Sequence, residues 1–235
     1  MTLSKAIGPA LLVLLGIPAS ASAEDLPLTF QRLSGHAGVR TTVFRAALTL
    51  SNLQRIQAVI LEDSESVTGG GYGRASGFDV DGIKISSTWA VSAAQASAAP
   101  ALDFFDFNTA ETSFTPGTQR APVDVKLNGT DATGSAVDFA AASLAAFDGT
   151  GIINRPVGAA TGSISLGDGG RLSFDLTSDI TAAALPLYLY VGEAITGPGE
   201  GVNAFITVVP EPQTWALFLA GVAGVGLASR RRRRH

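Results

Sequence analysis

Apolar and polar residues alternate along most of the chain between residues 44 and 208. Phe44, Ala46, Leu48 and Leu50 keep every second position, as do Ile56, Ala58 and Ile60, Phe78 and Val80, and Val123, Val125 and Leu127. The pattern resumes at Leu172, Phe174 and Leu176, at Leu187, Leu189 and Val191, and at Val202, Ala204, Ile206 and Val208. Successive side chains on a strand point to opposite faces, so a period of two predicts half-buried strands. Asp81-Gly82, Asn128-Gly129 and Gly167-Asp168-Gly169-Gly170 punctuate these runs, and such pairs supply the positive φ that hairpin turns need. Ala90 to Ala99 and Phe139 to Phe147 are rich enough in alanine for short helices, the first stopped by Pro100. No unit of 20–50 residues repeats, which argues against a solenoid or propeller. The expected fold is all-β, an antiparallel β-sandwich or jelly roll over residues 24–208, with an N-terminal signal helix and a C-terminal single transmembrane helix.

Both ends depart from the alternation. Residues 1–23 carry Lys5, an apolar run from Ile7 to Ile17, and Ala21-Ser22-Ala23 ahead of Glu24-Asp25. A positive start, a short apolar stretch and an A-x-A site describe a secretory signal peptide, with Ala21 and Ala23 as the cleavage-site residues ahead of Glu24. Gly8-Pro9 and Pro18 argue against a buried helix there. At the other end Val208-Val209-Pro210-Glu211-Pro212 precedes an apolar stretch, Trp215 to Ala228, and then Arg230, Arg231, Arg232, Arg233 and Arg234. An apolar helix ahead of a basic run reads as a membrane stop, because arginines stay on the cytoplasmic side. Residues 213–229 number 17, at the lower edge of the roughly 17–25 needed to span. Gly221, Gly224 and Gly226 each cost the helix about 1 kcal/mol relative to alanine, which suits a temporary stop.

This tripartite tail, residues 209–235, resembles the PEP-CTERM sorting signal of Gram-negative bacteria. The resemblance rests on Val209-Pro210-Glu211-Pro212, Thr214-Trp215-Ala216-Leu217, Leu219-Ala220-Gly221 and the terminal arginines in that order. It implies recognition by exosortase, a multi-pass membrane protease or transpeptidase, and cleavage near the Pro-Glu-Pro motif. It also implies an inner-membrane anchored intermediate, held there transiently, and a final place at the cell surface or in an extracellular exopolysaccharide matrix. The prolines fix φ and remove backbone donors, so the motif stays extended, and Glu211 supplies its single charge.

Composition narrows the chemistry of the body. The absence of cysteine removes disulfides, thiolate metal sites and a cysteine nucleophile. Residues 24–209 hold ten basic and nineteen acidic side chains, a net charge of about −9 that disfavours nucleic acid as a partner. His36 is the one histidine outside the tail and is expected on an exposed loop, since no G-x-S-x-G elbow offers it a serine. Thr68-Gly69-Gly70-Gly71-Tyr72-Gly73 lacks the lysine and hydroxyl of a phosphate loop and reads as a turn. Asp79 and Asp81 are weak calcium candidates without a full loop register, expected on the wet face of a strand. Asp103 and Asp106 could belong to a glycosidase pair, whose separation is a three-dimensional property.

Trp89, Tyr188 and Tyr190 are candidates for a sugar platform, with the tyrosines opposite Leu187, Leu189 and Val191 on one strand. The competing expectation is that both faces of that strand are covered and the hydroxyls are satisfied locally. Together these readings point to an exported protein without catalytic residues, cofactor or metal, and with a structural, adhesive or exopolysaccharide-associated role. The alternatives are a secreted carbohydrate-active enzyme using paired aspartates and a calcium-stabilised adhesin.

Overall fold

A computed structural model describes residues 22–52, 54–64, 71–102, 112–142, 144, 146–149, 162–194, 201–211, 219 and 221–223. Within them lie the strands β1 (Glu24–Leu28), β2 (Gln31–Arg32), β3 (Thr42–Leu48), β4 (Gln54–Asp63) and β5 (Asp79–Ser86). After a short helix α1 (Ala93–Ala98) come β6 (Thr112–Thr115), β7 (Ile164–Ser165), β8 (Arg171–Thr181), β9 (Leu187–Glu193) and β10 (Val202–Pro210). They form two five-stranded antiparallel sheets, ordered β1-β10-β4-β8-β6 and β2-β3-β9-β5-β7. The pairing is nested: β1 lies beside β10, β3 beside β9, β4 beside β8 and β5 beside β7. One long hairpin rolled up in this way gives the strand order of a jelly roll.

Rows of apolar side chains cross each sheet and meet in a shared core. In the first sheet Val59 stands between Ile206 and Phe174, and Leu61 between Ala204 and Leu172. In the second, Val191 stands between Phe44 and Ile83, and Leu189 between Ala46 and Ile85. These rows explain the alternation in β3, β9, β10 and the Leu172–Leu176 stretch of β8, where every second residue faces inward.

Two strands depart from strict alternation. The pairing of β4 with β8 shifts between Ile56 and Ala58, so Ile56 shares the core with Val59 and Leu61 while Ala58 and Ile60 take the opposite face. In β5 the shift falls between Val80 and Gly82, where Asp81-Gly82 had suggested a hairpin; the strand continues through it. An extra residue at a β-bulge changes the face of everything beyond it.

The second sheet is covered on its outer side as well. Leu33, Ala37, Val43, Ala90, Ala93, Ala96, Phe147 and Tyr190 form a smaller cluster there. Phe147 fits because Gly82 and Gly192 are cross-strand partners; a Cβ on Gly192 would stand 2.5 Å from the ring. Ala93 and Ala96 of α1 face this layer, Ser92 caps its start, and the Lys84 ammonium donates to the carbonyls of Ala96, Ser97 and Ala99 at its end. Burial holds the Lys84 amine below its ordinary pKa.

Other expectations are corrected by the loops. Gly167 to Gly170 carries the chain from β7 in one sheet to β8 in the other, so it is a crossover and not a hairpin turn. Arg120 grips it with a two-pronged ion pair to Asp168, at 2.9 and 2.6 Å. Val123, Val125 and Leu127 form no strand: Val123 and Val125 are 71% and 91% exposed, and only Leu127 is buried. Phe139 to Ala141 are turn, not helix. No helix among the described residues is long and apolar enough to cross a membrane. The signal segment through Ala21 and most of Trp215 to Ala228, with Arg230 to Arg234, lie outside the described residues; Leu219 and residues 221–223 are helical and exposed.

Candidate functional site

Strand β10 joins the body to the tail without a stalk. Val208, fully buried, is paired on one side with Ile56 of β4 and on the other with Glu24, the first residue of β1. Thr207 donates its hydroxyl to Asp25, tying the two ends of the body together across 182 residues. Among the described residues the ladder beyond Val208 continues only toward β4, through Val209 to Arg55 and Pro210 to Gln54. The first residue of the Pro-Glu-Pro sequence, Pro210, is thus also the last residue of β10. Glu211 follows half-buried, and Pro212 lies outside the described residues.

A second group of candidate residues meets on the outer face of the second sheet. Trp89 packs edge to face with Tyr188, their ring centroids 5.1 Å apart. Under the indole lies the Arg45 guanidinium, 3.2 Å from the ring centroid. Arg45 is itself buried and donates to the Ala90 carbonyl and to Gln31 Oε1, both at 2.5 Å. The sugar-platform expectation fails for Tyr190, which is fully buried because α1 and the 88–92 loop cover that face of β9. Its hydroxyl accepts from Ala90 N at 2.9 Å and donates to Thr88 O at 2.6 Å. Burial raises the Tyr190 phenol above its ordinary pKa.

Trp89 is thereby fixed by Arg45 beneath it, by Tyr188 at its edge and by Tyr190, which holds the backbone of its neighbours Thr88 and Ala90. It nevertheless remains 53% exposed. An aromatic ring held in solvent by the buried Arg45 and the half-buried Tyr188 is a pre-organised contact surface, since little side-chain freedom remains to be lost on binding. Arg45 carries no motif that would single it out in the sequence. Its role emerges from the register that sets it opposite Tyr190.

The aspartate candidates are differently placed. Asp79 and Asp81 are buried, not on a wet face, because Phe147 and its neighbours cover the strand. Asp79 accepts from the Ser165 hydroxyl, and Asp81 Oδ2 from the Thr41 hydroxyl at 2.5 Å and from Gly149 N at 3.1 Å. Among the described residues no three acidic or histidine side chains are arranged to hold a metal ion. Desolvation pushes the Asp81 pKa up to about 6, and the Asp148 carboxylate adds to the rise. His36 is exposed. Asp103, Asp106 and residues 68–70 lie outside the described residues, while Gly73 turns the chain at φ +58°.

At the end of β10 far from the tail, a polar cleft of about 350 Å³ is lined by Glu62, Asp63, Ser64, Thr115, Arg171 and Asn203. Its carboxylates are engaged: Glu62 pairs with Arg171, and Asp63 accepts from Phe78 N at 2.9 Å and Gly169 N at 3.2 Å.

Residues 208–234 match the PEP-CTERM protein-sorting motif. No curated protein and no solved structure matches the chain. The motif marks an exosortase substrate: it implies export, a membrane-anchored intermediate and a surface or extracellular product.

Proposed function

We propose that residues 24–209 form a non-catalytic module of the bacterial surface or extracellular matrix, released from its tail by exosortase and associated with exopolysaccharide through Trp89. The observation that carries this reading is the exposed indole held rigid by Arg45, Tyr188 and Tyr190 on a body bearing a sorting tail. A pyranose ring presents axial C–H groups to such a face, and stacking contributes on the order of 1 kcal/mol per ring. Repeated along a polymer, contacts of this strength accumulate by multivalency. Support for a non-catalytic role comes from the polar cleft, where Asp63 holds backbone amides and Glu62 holds Arg171.

Electrophoresis of the released body through gels cast with matrix polysaccharide from the producing cells tests this reading. The wild-type body should be retarded. Trp89→Ala should weaken retardation about tenfold in apparent affinity and lower stability by only about 1–2 kcal/mol, through the lost contacts with Arg45 and Tyr188. Tyr190→Phe leaves the Ala90 amide without its phenol partner and should lower both binding and stability, the latter by about 1–3 kcal/mol. Equal retardation of wild type and Trp89→Ala would remove the indole from the account.

A further inference from the structure

The overlap of fold and motif constrains how the tail can be cut. Residues 212–214 separate Glu211 from Trp215, so the apolar segment begins within about 14 Å of the body even when that link is fully extended. Any enzyme acting on this link from the membrane must work against the end of the sandwich from which the tail leaves. That end is formed by Glu24, the Ser51-Asn52 turn before β4, and Thr181 at the close of β8.

The same geometry limits how much chain can be drawn into a protease groove. Proteases and other peptide-binding proteins take extended segments by backbone pairing. Val208 is unavailable for that, because it is buried and paired on both sides. Val209 and Pro210 are half-buried and paired on one side, and Pro210 has no N–H to give the ladder. They can peel from Arg55 and Gln54 without opening the core.

We propose that the tail-exit end of the jelly roll, with Ser51 and Asn52 at its rim, is a docking surface for the membrane-embedded exosortase, and that the bond cut lies beyond Val209. The body is then part of the substrate, and its last central strand pair acts as a stop that protects the core from trimming.

The test uses the full chain in cells with an active exosortase. The processing rate is followed by pulse-chase, and the C-terminus of the product by intact mass. Ser51→Trp and Asn52→Trp place bulk on exposed rim positions and should slow processing at least severalfold, while the melting temperature of the isolated body stays unchanged. A second chain carries a nine-residue Gly/Ser spacer after Val209 followed by a repeated Val-Val pair, so that the body keeps Val208 and Val209 while the matched motif, span and arginines stay contiguous behind the spacer. In it processing should slow at least severalfold even with Ser51 and Asn52 unsubstituted, because the body end is no longer held at the enzyme; processing at or above the wild-type rate would make the rim a mere obstacle and would overturn docking. Rim variants cut at the wild-type rate in the chain without the spacer, or a product ending upstream of Val209, would overturn the proposal. Neither outcome depends on whether Trp89 binds polysaccharide.

Discussion

Phe174→Ala should lower the unfolding free energy of the released body by about 3–5 kcal/mol, with a fall in melting temperature on the order of 10 °C. Phe174 is 2% exposed and sits in β8 at the end of the Val59–Ile206 row, where the first sheet faces the second. Removing its ring leaves a cavity in a core bounded by two sheets. Sheets held in nested register cannot close around it without shifting other rows. A domain of this size has roughly 5–15 kcal/mol of stability in all, and no disulfide supports it. Urea denaturation of wild type and variant measures the difference. A loss below about 1 kcal/mol would mean that the described core is not the one the protein uses.

Asp81→Asn should remove a pH dependence that the wild type carries. In the folded protein the Asp81 pKa is about 6, against an ordinary value of 3.8. The folded state therefore holds this proton more tightly than the unfolded chain does. The stabilisation is fully present below the unfolded pKa and is lost as pH rises through about 6. Between pH 4.5 and pH 7 this group alone should cost the wild type about 2 kcal/mol. The variant keeps a side-chain oxygen that can accept from Thr41 and Gly149, and it should not show that loss. Paired urea titrations at the two pH values isolate the term, since all other ionisable groups are common to both proteins. A wild-type-to-variant difference that is constant with pH would contradict the buried placement of Asp81.

The elements most legible in the sequence are those whose alternation has no interruption. Phe44 to Leu48, Leu172 to Phe174, Leu187 to Val191 and Val202 to Val208 all lie in strands with the expected faces inward. Alanine content and Pro100 marked the place of α1. Interruptions are ambiguous where a local signal has two physical solutions. Asp81-Gly82 supplies turn-forming residues, yet here the glycine makes room for Phe147 beside a bulge. Gly167 to Gly170 turns the chain in space, but only the pairing shows that the turn changes sheets. Val123 and Val125 alternate without a partner strand among the described residues, and alternation alone cannot supply one. The strands β1 and β2 are short and polar, and they are defined by their partners β10 and β3.

The candidate sites divide in the same way. The tail is legible because motif, apolar stretch and arginines follow one another in sequence. The Trp89 site is only partly legible, since the aromatics are visible but their supports come from distant strands. Arg45 and Tyr190 reach the 88–90 loop from β3 and β9, 45 and 100 residues from Ala90. Nothing local distinguishes Tyr188, on the surface side of its contact, from the fully buried Tyr190.

Exosortase-dependent sorting is tested most directly by the intact mass of the protein recovered from the cell surface or medium of cells with an active exosortase. The expected species begins at Glu24, ends beyond Val209 and lacks Arg230 to Arg234. A surface-associated species that still contains those five arginines would contradict the account.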